Sequence, residues 1–278
     1  MLDPNSPSTP WILGAALVGV LALMIWRAMR KDRREYARFK RYRSTARRQA
    51  MFRRWVLQSL AVFGGASLLL LLLAANFVPL LLADINSIPW IMDARREFGS
   101  SGFGPGIVIG LSAALVAGAV LGIVAARKET DIPSLGDVQA LLPRTRAELK
   151  WGAALSINAG VVEELMFRLA LPATIYGLTR NAAAAVIVSL VIFGLLHIYQ
   201  GVSGVLASFV IGVILMLIYL ASGSILLAIA VHAAFDLRSL VLIPVVLFKV
   251  HEVRSGNGIR PVQAPPKEKP QPAPESSA

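Results

Sequence analysis

The chain has 278 residues, of which 56% are hydrophobic and only 16% are charged, and its mean hydropathy is +0.64. A soluble protein of this length carries more charge, so the composition excludes a soluble globule as the default. The formal net charge is +12. Because the sequence contains no cysteine, disulfides, thiolate metal sites and a cysteine nucleophile are excluded as well.

Seven stretches are apolar enough to cross a membrane, which takes about 20 residues of helix. They lie at about 11–26, 55–83, 99–126, 150–178, 182–199, 203–221 and 224–248. We therefore predict an all-α polytopic membrane protein with about seven transmembrane helices. In the third stretch, the glycine pairs Gly106/Gly110 and Gly118/Gly122 indicate close helix packing.

The distribution of Lys and Arg predicts the orientation of these helices. Segments 27–54, 127–150 and 249–278 together hold 23 basic side chains. The remaining loops hold only three, which are Arg95, Arg96 and Arg180. Since basic residues accumulate in cytoplasmic loops, we expect the N-terminus outside and the C-terminus in the cytoplasm.

Most of the positive charge lies in one segment, residues 27–54, which we call the basic arm. It holds 13 basic and two acidic side chains, with Tyr36, Phe39 and Tyr42 at three-residue steps. Nucleic acid is the less favoured partner for such an arm. A helix lying on an anionic membrane surface explains both the charges and the aromatic rings, so we predict anionic lipid headgroups as the partner.

Three charged side chains lie near the middle of the fourth predicted span: Glu163, Glu164 and Arg168. A charge at the centre of a membrane helix costs on the order of 2.5–3.5 kcal/mol on insertion scales, so these groups need partners or a polar cavity. Glu164 and Arg168 are four residues apart on one helix face, which predicts an ion pair. Glu163 points elsewhere and must find its partner on another helix.

Two of the three histidines, His197 and His232, also lie in predicted spans, and Asp236 follows His232 by one helical turn. Alone, either histidine is more often a hydrogen-bonded core residue than a ligand. Together with a desolvated carboxylate, which acts as a general base on water, they form a set that suits peptide hydrolysis. Histidines hold the water, donate to an oxyanion or bind a metal, and a neighbouring Asp fixes the tautomer.

Three motifs carry a family resemblance. EELMFR (Glu163–Arg168), FGLLH (Phe193–His197) and HAAFD (His232–Asp236) resemble, in this order, the EExxxR, FxxxH and HxxxN/D motifs of the CPBP intramembrane proteases. That family includes the CAAX prenyl endopeptidases and bacteriocin-processing, Abi-like relatives. The resemblance covers about 150–248 and implies a catalytic cavity among the last four helices.

The resemblance also implies roles for single residues. Glu163 is then the general base, His197 and His232 complete the water site, and Glu164 and Arg168 support it. Asp236 stands where the prenyl endopeptidases have Asn; an ionised acid cannot donate a hydrogen bond, which favours a role in orienting His232. A divalent metal such as zinc bound by Glu163, His197 and His232 and a metal-free mechanism are equally compatible with the motifs.

These interpretations divide the chain into four parts. They are a first span with the basic arm (1–54), two further spans with their loops (55–149), a CPBP-like catalytic bundle (150–250) and a disordered cytoplasmic tail (251–278). One expectation conflicts with a shared water site. On ideal helices, His197 lies about 24 Å from the outer end of its span, whereas His232 lies about 12 Å from the outer end of its own.

Three alternatives accompany the leading prediction, an intramembrane endopeptidase acting on a membrane-embedded or membrane-anchored protein. Gly201–Gly204 spells the GxSG of rhomboid serine proteases, with Ser203 as nucleophile and His232 as base, but leaves the glutamates unused. The Glu/His cluster also suits a proton- or cation-coupled carrier, although no inverted repeat is visible. The third is a non-catalytic scaffold or immunity protein on the same fold.

Overall fold

The computed structural model describes residues 1–100, Gly106, Gly110 and 139–254, and each regular element within them is helical. The helices, numbered in chain order, are α1 (Thr9–Phe39), α2 (Thr45–Ala74), α3 (Phe77–Asn86), α4 (Pro89–Gly99), α5 (Arg146–Glu164), α6 (Leu171–Thr179), α7 (Ala182–Leu195), α8 (Val202–Ser222) and α9 (Ile225–Phe248). A π-turn, Leu165–Ala170, joins α5 to α6. The all-helical, multi-pass class is therefore confirmed.

Within these residues, five helical stretches are long and apolar enough to cross a membrane: α1, α2, α7 with the turn that follows it, α8 and α9. The pair α3 and α4, bent by 89°, is a sixth candidate. The predicted fourth span, α5 with α6, is not among them because Glu163, Glu164 and Arg168 interrupt its apolar stretch. The predicted third span, with its glycine pairs, lies almost wholly outside the described residues. The described residues thus contain five to six candidate spans, compared with the seven that the sequence predicts for the whole chain.

The predicted second span, 55–83, does not form one helix and is wrong at its C-terminal end. Its helix, α2, begins at Thr45 and ends at Ala74, and a separate helix, α3, follows. Two residues explain the break. The side-chain amide of Asn76 donates to the backbone carbonyl of Leu2 at 3.0 Å. Pro79 lies in the first turn of α3, where its missing N–H removes no helical hydrogen bond.

Two contacts each join a pair of segments that were predicted to lie on the same side of the membrane. At the end of α6, the Arg180 guanidinium donates to the carbonyl of Pro4 at 2.7 Å. At the start of α5, the Arg146 N–H donates to the carbonyl of Val253 at 3.0 Å. Val253 belongs to the predicted disordered tail, of which only residues 251–254 are described. The absolute orientation stays a prediction.

The basic arm packs against the bundle through a buried ion pair. Arg48 of α2 is 1% exposed, and its Nε donates to a carboxylate oxygen of Glu148 on α5 at 3.0 Å. Its Nη2 donates to the carbonyls of Ala140 and Leu142 at 3.1 and 3.0 Å. Since breaking such a pair leaves an uncompensated buried charge, this contact fixes the arm to the start of α5.

The aromatic rings of the arm face the protein. Tyr36 is 5% exposed and Phe39 is fully buried, with the Arg48 guanidinium 4.3 Å from the centre of the Phe39 ring. Trp151 and Leu155 of α5 pack against the same cluster. The prediction that lipid explains these rings is therefore wrong: they fill the space between arm and bundle, and the exposed face of the arm carries the charges.

Helices α5 and α9 approach each other to backbone contact. A Cβ atom on Gly160 of α5 would lie 3.0 Å from the backbone nitrogen of Ala233 and 3.0 Å from the carbonyl oxygen of Ile229 in α9. Small residues allow such an approach between membrane helices. Because Gly160 precedes Glu163 and Ala233 follows His232, this crossing brings the first and third motifs together.

We expect Gly160→Ala to separate α5 from α9 and to lower the stability of the folded state by about 1–3 kcal/mol, the usual cost of overpacking. Thermal unfolding in detergent, followed by tryptophan fluorescence, measures this loss. Gly65→Ala in α2 is the matched control because no atom lies within 4 Å of the added methyl group. A Gly160→Ala variant that melts with the wild type would contradict the close crossing.

Candidate active site

Both charged motifs lie beside a π-turn. Glu164 is the last residue of α5, and Arg168 lies in the π-turn Leu165–Ala170 that follows. In α9, a second π-turn, Arg238–Leu242, begins two residues after Asp236. Such turns are frequent at functional sites, although two others, Arg27–Asp32 and Leu60–Gly64, lie outside the motifs.

Glu164 is the buried centre of the site. Its side chain is 0% exposed, and its Oε2 lies 3.0 Å from Nε of Arg168, so the structure contains the predicted ion pair. The N–H of that nitrogen does not point at the carboxylate, so the contact is an ion pair and not an aligned hydrogen bond. The other oxygen, Oε1, lies 2.8 Å from Nδ1 of His232. Two partners thus share this buried negative charge.

The contact with Glu164 orients the imidazole of His232. An ionised carboxylate only accepts, which places a proton on Nδ1 and turns Nε2 the other way. Nε2 lies 4.0 Å from a carboxylate oxygen of Glu163 and 3.8 Å from one of Asp236, beyond hydrogen-bonding distance. The carboxylate that orients His232 is therefore Glu164, whereas the sequence led us to expect Asp236. The α5–α9 crossing decides this, because it brings Glu164 to the opposite edge of the imidazole.

The two neighbouring glutamates have different surroundings. The side chain of Glu163 is 24% exposed and faces Nε2 of His232, together with Asp236 at 30%. Glu164, one residue later, is completely enclosed. Glu163 and Asp236 are therefore partly accessible from outside the bundle, and Glu164 is not.

Arg168 links the site to two further helices. It is 2% exposed, its Nη2 donates to the carbonyl of Gly212 on α8 at 3.2 Å, and its guanidinium lies 5.0 Å from the centre of the Phe193 ring on α7. These contacts hold α7 and α8 against the π-turn. Arg168 is thereby placed to support the site from behind Glu164.

His197 joins the site through an aromatic ring. The Phe193 ring lies 5.0 Å from the His197 ring and 6.5 Å from the His232 ring, measured between centres. The His197 Nδ1 lies 2.8 Å from the Phe193 carbonyl, which places its proton there and leaves Nε2 free to accept. The depth offset expected from ideal helices does not separate the histidines, because both rings contact the ring of Phe193.

The described contacts therefore connect five of the six predicted site residues directly: Glu163, Glu164, Arg168, His232 and Asp236. His197 is the sixth. Within the described part of the chain, no group of three His, Asp or Glu side chains is spaced to hold a metal ion. As arranged here, the candidate ligands Glu163, His197 and His232 do not form a metal site.

Two tyrosines near the site were not predicted from the sequence. The Tyr199 ring stacks on His197 with 6.1 Å between centres, and its hydroxyl accepts from Nε2 of Gln200 at 2.8 Å. Tyr36 of the basic arm packs edge-on against Tyr199 at 6.2 Å. Because Tyr199 follows His197 by two residues, the sequence could have placed it near the site. No local sequence pattern predicts that Tyr36 lies there.

Ser203, the nucleophile of the rhomboid alternative, lies exposed in the first turn of α8. Within the described residues, no hydrogen bond joins it to His232, whose Nδ1 is bonded to Glu164 instead. A serine protease needs its base in contact with the nucleophile. The arrangement does not support that alternative.

Comparison with known proteins agrees with the geometry. Residues 145–238 match the family model described as type II CAAX prenyl endopeptidase Rce1-like, whereas no curated protein and no solved structure matches the chain. The matched segment runs from the residue before α5 to the start of the second π-turn and contains all six predicted site residues. This match, over residues 145–238, therefore supports a relationship of this segment to the CPBP/CAAX protease family.

Proposed function

We propose that the protein is an intramembrane endopeptidase that hydrolyses a peptide bond of a membrane-embedded or membrane-anchored protein, with Glu163 as the general base. One observation carries this proposal: Glu163 faces Nε2 of His232, while Glu164 occupies Nδ1. A carboxylate and an imidazole nitrogen that both accept hydrogen bonds are complementary to the two protons of one water molecule.

A water molecule that donates to both groups directs its lone pairs away from them, toward a substrate carbonyl. Glu163 takes one proton as the water oxygen attacks the carbonyl carbon, and the protonated Glu163 then delivers it to the leaving amine nitrogen. Glu164 keeps His232 in the accepting tautomer throughout, as outer carboxylates do for catalytic histidines. Nε2 of His197 and the carboxylate of Asp236 complete the polar wall of the site.

The burial of the two glutamates supports this division of roles. A general base must reach the water and the substrate, and Glu163 is the one with solvent access. Glu164 contacts Arg168 and His232 and is closed to solvent. The carrier alternative uses the same residues for proton transfer without a cleaved product.

We expect Glu163→Gln to lower the cleavage rate by about 10²–10⁴-fold, the usual contribution of a general base, with little change in melting temperature. Glu164→Gln is the contrasting variant. It leaves Arg168 with no buried counter-charge, so we expect a loss of about 3–5 kcal/mol of stability.

The measurement compares membrane proteomes of cells that carry wild-type or Glu163→Gln protein and identifies proteins that fail to shorten. Cleavage is then reproduced with the purified variants and the identified substrate. Equal processing by both would contradict the role of Glu163. Proton-driven flux through the wild type without any cleavage would favour the carrier.

The arrangement of the side chains also predicts a result for metals. Because the described His, Asp and Glu groups are not spaced to bind an ion, we expect the purified wild type and His197→Ala to show the same low metal content by mass spectrometry. We further expect wild-type cleavage to survive chelation. One equivalent of zinc in the wild type that is lost in His197→Ala would contradict this expectation.

We further propose that the exposed face of the basic arm binds an anionic phospholipid. An open cavity of about 220 Å³ is lined by Trp26, Arg30, Lys31, Arg34, Glu35 and Arg38. An adjoining apolar groove is lined by Ala22, Ile25, Trp26, Met29 and Arg30. A cationic cavity that continues into an apolar groove is complementary to a phosphate headgroup and its acyl chain.

Lys31 pairs with Glu35 at 4.0 Å, whereas the three arginines of this cavity have no such partner among the described residues. The Glu35 carboxylate is occupied by Arg54, at 3.2 Å, and by the indole N–H of Trp55, at 2.9 Å. In the described part of the chain, no carboxylate pairs with Arg30, Arg34 or Arg38. Like charges spaced four residues apart repel, and an anion relieves this repulsion.

We expect the triple variant Arg30→Gln/Arg34→Gln/Arg38→Gln to retain about 100-fold less phosphatidylglycerol, since each Arg near an anionic surface contributes about 1 kcal/mol. Native mass spectrometry after delipidation and titration measures the bound lipid. The control, Arg33→Gln/Arg41→Gln/Arg43→Gln, removes the same charge outside the cavity. An equal loss of bound lipid in the control would show that only the net charge of the arm matters. That result would contradict a defined lipid site.

A further inference from the structure

The basic arm contacts the candidate active site through three aromatic rings that touch in succession. Tyr36, buried on α1, packs edge-on against Tyr199 at 6.2 Å with an interplanar angle of 72°. Tyr199 in turn stacks on the His197 ring at 6.1 Å and 28°. A residue from the first helix thus contacts the segment that carries a motif histidine.

The segment that carries His197 depends on such support. It is a 3₁₀ turn, Leu196–Gln200, that ends at Gly201 with a φ of +83°. Short 3₁₀ turns have poorer hydrogen-bond geometry than α-helices, and Gly201 adopts a conformation that favours glycine. The bond from His197 Nδ1 to the Phe193 carbonyl holds one point of the ring. The plane of the imidazole is then set by the rings beside it.

Ring contacts place Tyr199 between the arm and the turn that carries His197. Its ring contacts Tyr36 of the arm at 6.2 Å and the His197 ring at 6.1 Å. Nε2 of Gln200 donates to the Tyr199 hydroxyl at 2.8 Å and holds the ring in place. Tyr199 is therefore the link between two parts of the chain that are distant in sequence.

The arm itself is fixed to the helix that bears the glutamates. Arg48, which packs on Phe39, pairs with Glu148 at the start of α5. α5 carries Glu163 near its other end. The arm, which comprises the end of α1 and the start of α2, thus contacts both the glutamate helix and the turn that carries His197.

We propose that the basic arm is a positioning element of the active site: Tyr36 holds Tyr199, and Tyr199 holds the His197 imidazole so that Nε2 faces the site. Both tyrosines are positioning residues, since they act through His197 and transfer no proton. Only the catalytic consequence rests on the proposed peptidase function; the orientation of His197 does not. Because the proposed support comes from contact between the rings, we expect phenylalanine at position 36 to hold Tyr199 as well as tyrosine does.

The first test measures the exposure of His197 directly. Diethyl pyrocarbonate reacts with unprotonated imidazole nitrogens, and peptide mass spectrometry resolves the three histidines of the chain. His251, whose side chain is 47% exposed, and His232, at 7%, are internal references. We expect Tyr36→Leu and Tyr199→Leu to raise the rate at His197, relative to His251, by about 2- to 10-fold, the value of one aromatic pair.

Two control variants separate positioning from general packing. Tyr36→Phe keeps the ring and should restore the wild-type rate at His197. Tyr42→Leu removes another aromatic pair of the arm, with Phe39 at 6.2 Å, and is expected to leave His197 unchanged. An equal rise at all three histidines, an equal effect of Tyr42→Leu, or no effect of Tyr36→Leu would each overturn the proposal.

The second test uses cleavage of an identified substrate. We expect Tyr36→Leu to lower kcat about 2- to 10-fold with KM unchanged, and Tyr36→Phe to restore it. A change in KM alone would overturn the positioning role. Should Glu163→Gln show that the protein is not a peptidase, the carbethoxylation result still decides whether the arm orients His197. Failure of the two proposals is therefore distinguishable.

Discussion

One buried carboxylate organises the site. Glu164 is completely enclosed, and an unpaired charge there would cost several kcal/mol. Arg168 and His232 share that charge, the first from the π-turn after α5 and the second from α9. Because Arg168 also donates to the Gly212 carbonyl, neutralising this single group ties α5, α8 and α9 together.

The same arrangement separates the roles of two adjacent acids. Gly160 lets α5 approach the backbone of α9, so Glu164 reaches Nδ1 of His232 and Glu163 remains beside Nε2. Under the proposed function, structural support and chemistry thus come from neighbouring residues on different faces of one helix. An imidazole oriented by a buried carboxylate and facing a partly exposed one is the arrangement that water activation needs.

The basic arm has two faces with different surroundings. Its aromatic face, with Tyr36 and Phe39, packs on the bundle, and its exposed face carries Arg30, Arg34 and Arg38. The Arg48–Glu148 pair holds this unit against α5. A lipid bound on one face and a histidine turn supported by the other would join the membrane surface to the reaction through a single element.

The sequence by itself determined the helical, membrane-spanning class, the Glu164–Arg168 pair and the three motifs, because apolar length and four-residue spacing are local properties of the chain. It did not determine that α2 ends at Ala74 or that Glu164, and not Asp236, bonds His232. It also gave no sign that Tyr36 meets Tyr199. Those contacts join residues far apart in sequence, so only the packing of α5 on α9, and of the arm on the bundle, decided them.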